Sequence, residues 1–202
     1  MKGAMIGCAM VGGGLLLLLL GIGGCGVGMY NGMATGAQAC DAQWSQVENV
    51  YQRRNDLVPN IVASVKGYMG HEHAVIKEVA EAQASVGRVT IDPKNLTPEL
   101  FEKWSAAQVG LGGALQKLMS VAYSQPNIKA DEGFRDLRAT LEGSENRIAL
   151  ERKKFNEAVQ DYNNKLVSFP TSMMASWGNF KAKPYFKADE AAKTVPKVDF
   201  SK

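Results

Sequence analysis

The sequence predicts an all-α protein, with an N-terminal transmembrane helix continuing into a long antiparallel helical bundle. Three observations predict it. No charged side chain occurs between Lys2 and Asp41, and this opening is rich in leucine and glycine. Three later stretches place apolar residues alternately three and four apart, the 3.5-residue period of helices packed along a seam. No alternating strand pattern of useful length interrupts them. The chain accordingly divides into a membrane anchor (1–40), a helical bundle (41–180) and a lysine-rich C-terminal tail (181–202).

The anchor comes first. Its apolar part runs from Ala4 to Met29 and includes six consecutive leucines, Leu15 to Leu20. At about 1.5 Å per residue this exceeds the roughly 30 Å of bilayer hydrocarbon, so the segment spans as a single helix. Tyr30 then sits where an interfacial aromatic belongs. The alternative is cleavage and acylation at Cys25, since Ile22-Gly23-Gly24-Cys25 loosely resembles a bacterial lipobox. Gly24, Gly28, Gly32 and Gly36 fall four apart, and Cys40 continues the row. On a helix they form a smooth stripe about 24 Å long. Glycine disfavours helix by up to about 1 kcal/mol relative to alanine, so the spacing asks for a reason. Close approach of a neighbouring helix supplies one, and the stripe is expected to be a self-association face. Lys2 and the amino terminus are positive while Asp41 and Glu48 come first on the far side. The positive-inside rule then leaves the bundle outside the cytoplasm.

The first seam reads Trp44, Val47, Tyr51, Arg54, Val58, Ile61, Val65, Tyr68, Glu72, Val75, Val79, Ala82 and Val86. Pro59 lies inside it, yet the phase before the proline matches the phase after it. This predicts one long helix from Asp41 to Val89, kinked at Pro59. A break there would instead make the bundle a four-helix up-and-down one. After the turn-forming TIDPKNL, Thr97-Pro98 opens a second long helix with a capping hydroxyl and a proline at the first helical position. Its seam is Phe101, Trp104, Gln108, Leu111, Leu115, Leu118 and Ala122, with Gly110, Gly112 and Gly113 thinning its flank. Ser124-Gln125-Pro126-Asn127 ends it. The third long helix opens near Asp131 and repeats through Phe134, Leu137, Leu141, Glu145, Ile148, Arg152, Phe155, Val159, Tyr162, Leu166 and Phe169. Thr171 or Ser172 caps a short turn through Trp177. From Lys181 the tail, with six lysines, reads as loosely held.

Charge and composition exclude several functions. The tail accounts for the whole net charge of +3, and no basic face for nucleic acid is left over. Cys8, Cys25 and Cys40 form neither a disulfide framework nor a zinc spacing. In His71-Glu72-His73 the histidines point about 200° apart on a helix and cannot easily grip one metal. Gly26-Val27-Gly28 and Gly110-Leu111-Gly112-Gly113 lack the strand-to-helix setting and lysine of a phosphate loop. No catalytic, cofactor or metal site emerges. The polar seam residues Arg54, Glu72, Glu145 and Arg152 stand where packing favours apolar groups, and each needs a partner or a wet site. Glu72 opposite Arg152 is the expected register lock, with both side chains reaching water as the alternative.

Several blocks resemble the LemA family: WSQVE (44–48), RRNDLVPN (53–60), VKGYMGHE (65–72), PNIKADEGFRDL (126–137), LEGSENRIALERKKFNEAVQDYN (141–163), FP (169–170) and KPYF (183–186). The Ser124-Gln125 lead into Pro126 and the glycine-rich entry segment depart from the family pattern. The resemblance implies one N-terminal membrane helix followed by a helical bundle, with no enzymatic activity. It also implies a short N-terminus outside, opposite to the charge pattern, so orientation stays open. One branch of the family serves magnetosome membrane formation, which points toward membrane organisation. The expected protein is a non-enzymatic scaffold in the cell (inner) membrane, in contact with lipid and a homo-oligomer. The alternative is a monomeric regulatory adaptor or sensor beside another, unidentified membrane protein.

Overall fold

The computed structural model describes residues 2–68, 73–93 and 96–187, and every regular element among them is helical. In chain order these are α1 (Lys2–Lys66), α2 (His73–Gly87), α3 (Pro98–Ser124), α4 (Pro126–Ala130), α5 (Glu132–Val167) and α6 (Thr171–Trp177). The all-α bundle of the sequence reading is present. Two compact units are formed among the described residues, one from 2–43 with 157–183, the other from 44–156 with 184–187.

The larger unit is built on the predicted seams. Trp44, Val47, Tyr51, Arg54, Val58, Ile61 and Val65 of α1 are all buried, as are all seven seam residues of α3. Val58, Ile61, Val65, Val79, Leu111, Leu115, Leu118 and Phe134 share one core. Going along α1, Trp44 meets Trp104 (ring centroids 4.9 Å) and Arg54 then meets Gln108, so α3 runs parallel to α1. The same two residues meet Phe155 and then Glu145, in descending order, so α5 is antiparallel. Gln83 of α2 reaches back to the carbonyl of Asn55 at 3.4 Å, and Glu78 pairs with Lys117 of α3 at 2.6 Å. The result is a four-helix up-and-down arrangement.

One expectation is corrected here. α1 does pass Pro59 without a break, but it ends at Lys66, where Tyr68 N–H closes a turn on Val65 O at 3.0 Å. The expected single helix to Val89 is therefore two, α1 and α2. Phase could not reveal this. Two helices burying one stripe against a common core each repeat at three and four residues, and a connection of suitable length preserves the count. Val79 is fully buried in the same core as Val58 and Ile61, which is why its phase agreed.

Local chemistry sets the other helix ends. Leu100 N–H donates to Thr97 Oγ1 at 3.3 Å, the predicted cap of α3. Asp131 starts α5, accepting from Phe134 N–H at 2.8 Å through one carboxylate oxygen and from Tyr68 OH at 2.9 Å through the other. Thr171 and Ser172 do not cap α6. They lie inside it, and the Thr171 hydroxyl reaches the carbonyl of Ser168 at 2.7 Å.

The smaller unit pairs the first part of α1 with the end of α5, again antiparallel. Cys40 Sγ–H donates to Ala158 O at 3.3 Å, and Met33 and Cys40 are fully buried. A Cβ added at Gly36 would stand 3.2 Å from the Tyr162 ring. After α6, Gly178 lets the chain fold back tightly, since a Cβ there would lie 2.6 Å from the Phe180 ring. Tyr30 meets that same ring edge-on at 5.2 Å.

The tail is not loose at its start. In the smaller unit Asn163 binds the backbone of Lys183 both ways, donating to its carbonyl at 2.9 Å and accepting from its N–H at 3.0 Å. In the larger unit Asn156 treats Phe186 in the same manner, at 3.0 and 2.9 Å. Phe186 is thereby buried among Trp44, Phe101 and Phe155. Two asparagines thus hold an extended segment with no ladder of its own.

The Asp131 cap makes stability pH-dependent. Its carboxyl lies below the usual aspartate value because Phe134 N–H, and then Tyr68 OH, donate to the ionised form. Its contribution is complete above the unfolded-state pKa near 3.8 and is lost as pH falls through the lower folded-state value. Asp131→Ala should therefore lower the urea midpoint at neutral pH and converge on the parent in strong acid. A gap independent of pH would contradict the cap.

Candidate functional site

The most constrained polar group in the larger unit is Arg54, 3% exposed at the middle of the α1 seam. A guanidinium cannot shed its charge at any ordinary pH, so burial demands acceptors around it. α3 provides two. Arg54 Nη2 donates to the backbone carbonyl of Gln108 at 2.8 Å and to its side-chain Oε1 at 2.7 Å. α5 provides the counter-charge, Glu145 Oε1, 3.2 Å from Nη1. The guanidinium also stacks on its own helix, with Cζ 5.0 Å from the Tyr51 ring centroid. Gly112 makes the room, since a Cβ there would stand 3.3 Å from Nη1. Of the three glycines thinning the flank of α3, Gly112 alone does this; an added Cβ at Gly110 or Gly113 meets nothing within 4 Å.

The node is not sealed. Glu145 is 40% exposed and opens onto a small pocket of about 190 Å³ reached also by Tyr51 and Arg152. Arg54 Nε is buried without a hydrogen-bond partner among the described residues, as is the Ser144 hydroxyl. Burial raises the Tyr51 phenol above its ordinary pKa, against the lowering influence of Arg152 and Arg54. The node thus combines a phenol, a buried amide and one ion pair. Among the described residues no three His, Cys, Asp or Glu side chains converge on a metal position. Next to the pocket, α3 and α5 border an open groove of about 1000 Å³. Its wall carries Tyr123, with Lys129 Nζ 4.7 Å and Arg138 Cζ 4.9 Å from the ring centroid.

The polar seam residues are placed as follows. Arg54 and Glu145 come together, a pairing that seam reading alone did not make. Arg152 sits over the Phe186 ring, Cζ 4.8 Å from its centroid, and donates to Lys187 O at 3.0 Å. Glu72, its expected partner, lies outside the described residues, as does His71. Gln108 was missed as a partner for Arg54. The signal was present, since it is the one polar residue in an otherwise apolar seam.

The glycine stripe divides in two. Gly36 and Cys40 face α5 of the same chain, and burial pushes the Cys40 thiol up to about 11. Gly24, Gly28 and Gly32 have nothing within 4 Å of an added Cβ. α1 is long and apolar enough to cross a membrane, and its leucines from Leu16 to Leu20 are exposed all round.

A helical bundle entered by an apolar helix fits the LemA-family resemblance. The sequence matches the LemA family over residues 43–200, most of its length. The chain belongs to the LemA family. Among curated LemA-family relatives, the magnetosome proteins MamQ 1 and MamQ 2 of Paramagnetospirillum magneticum are each 25% identical over 187 residues, 82% of this chain and 67% of theirs. The magnetosome protein MamQ of Magnetospirillum gryphiswaldense is 26% identical with the same coverage.

Glu145→Ala leaves the Arg54 charge with the Gln108 oxygens alone and should cost about 3 kcal/mol of unfolding free energy. Arg54→Met combined with Glu145→Ala removes the stranded charge and should cost less than Glu145→Ala does. Urea titrations of the two variants decide it, and a double variant weaker than the single one would contradict a buried-charge account.

Proposed function

We propose that this LemA-family protein is a non-enzymatic scaffold, anchored in the cell membrane by α1, which self-associates and presents its bundle to partner proteins. The observation that carries the reading is the run of leucines on α1, 58–70% exposed from Leu16 to Leu20 with no protein cover. Burying five such side chains is worth on the order of 5 kcal/mol or more, and a bilayer is the solvent that supplies it to a whole helix surface. This reading takes a single crossing with the bundle on the extracytoplasmic side, supported by Lys2 on the short side of the span. Relatives named as magnetosome proteins agree with a role at a membrane.

Gly24, Gly28 and Gly32 are the self-association face in this reading. They stay open where Gly36 and Cys40 are occupied, and a small-residue row lets a second α1 approach closely. A different observation favours a second reading. The groove between α3 and α5, rimmed by Tyr123, Lys129 and Arg138, suits a monomeric adaptor that docks one partner beside it.

Assembly mass separates the two. Native mass spectrometry from mild detergent should give a multimer for the intact chain and a smaller species for Gly28→Leu with Gly32→Leu. Gly36→Leu should instead lower thermal stability, because Tyr162 already fills that side. A monomeric intact chain would sink the scaffold and favour the adaptor.

A further inference from the structure

The turn between α5 and α6 exposes large apolar groups to an unusual degree. Val167 is 78%, Phe169 83%, Met173 66% and Trp177 88% exposed, within eleven residues of one another. Phe169 was expected on the packed seam of the third long helix, and it is not there. Isolated apolar residues on a surface are ordinary, but a cluster containing tryptophan and phenylalanine marks an interaction site. The smaller unit itself says what covers it.

Met174 of α6 comes within 3.8 Å of a Cβ built on Gly26, and Gly26 lies inside the apolar run Ala4–Met29 of α1. Phe180 packs on Tyr30, the aromatic that closes that run. α6 is therefore level with the outer end of the membrane-crossing segment. No aspartate or glutamate occurs from Tyr162 to Lys183, while Lys165 and Lys181 flank the exposed cluster on either side. The segment of α1 beside it, from Gly3 to Cys40, has no charge at all. Acidic groups are missing from both partners at the level where headgroup phosphates would lie. Ala175 points inward and is buried, while Met173 and Trp177 point outward. That division is the pattern of a segment lying in the interface, where tryptophan is favoured.

We infer that the Val167–Trp177 turn is a second membrane contact, seated at the boundary between headgroups and acyl chains beside the outer end of α1. It rests on the reading of α1 as a membrane-crossing helix. Two attachments on one unit fix how that unit stands on the bilayer, which a lone crossing helix leaves free to rotate about its axis.

Tryptophan emission tests this in the full chain. Of the three tryptophans, Trp44 and Trp104 are 1% and 5% exposed, so lipid-borne quenchers can reach only Trp177. The protein is reconstituted into phosphatidylcholine vesicles containing a minor share of phosphatidylglycerol, with acyl chains brominated or not. Bromination should lower the emission of the intact chain, Trp177→Phe should abolish that loss, and Phe169→Trp in the Trp177→Phe background should restore it. Equal emission in both vesicles, from protein that floats with them, would overturn the second contact while leaving the crossing helix standing. Protein that fails to float would overturn both. Assemblies made smaller by Trp177→Glu, without lipid quenching in the parent, would assign the patch to a second copy of the chain and overturn the proposal as well.

Discussion

The structure depends on one helix meeting two different surroundings. α1 is continuous from Lys2 to Lys66, yet its leucines at 16–20 have no protein against them while Trp44, Val47, Val58, Ile61 and Val65 are almost wholly covered. A helix can be apolar on every side only if something apolar surrounds it on every side. Beyond Asp41 the charged residues return and the apolar side narrows to a stripe, which three other helices cover. An apolar cover for the opening is what the proposed bilayer supplies, and the length and composition of α1 fit it.

Within the larger unit the buried guanidinium of Arg54 sets the register. Apolar seams slide with little penalty, because one valine or leucine replaces another. A charge that must find a carbonyl, an amide oxygen and a carboxylate at 2.7–3.2 Å cannot slide with them. α1, α3 and α5 are thereby pinned at one level, with Gly112 giving way for the charge. The reciprocal amide bonds of Asn156 with Phe186, and of Asn163 with Lys183, act on the extended tail in the same way. Each satisfies a length of backbone that belongs to no helix.

Much of this was legible in the sequence, and the rest was hidden for physical reasons. Periodicity identified the seams of α1, α3 and α5 nearly residue by residue, because burial is what periodicity records. It could not place the end of α1, since α2 packs into the same core and keeps the same phase. Arg54 and Glu145 were both marked as polar seam residues. Their pairing was not, because register between helices is a tertiary quantity and neither residue announces its partner. Composition argued for a loose tail from Lys181; its described start, to Lys187, is held instead, with Phe186 filling the aromatic cluster. The glycine row was read as one face. Only the structure could show that Gly36 and Cys40 are spent on α5 while Gly24, Gly28 and Gly32 are not. At the exposed cluster periodicity misled, placing Phe169 on the packed seam although α5 ends at Val167, and Trp177 lies in a helix of seven residues, too short to show a period.

Spin labels along α1 in a reconstituted bilayer test the central claim most directly, by comparing collision with oxygen, which favours lipid, and with a water-soluble nickel complex. Labels at Leu18 and Ile22 should meet oxygen and exclude nickel, while labels at Thr35 and Gln38 on the same helix should meet nickel. Nickel reaching Leu18 as readily as Gln38 would mean that the apolar opening of α1 is not in hydrocarbon, and the account would fail with it.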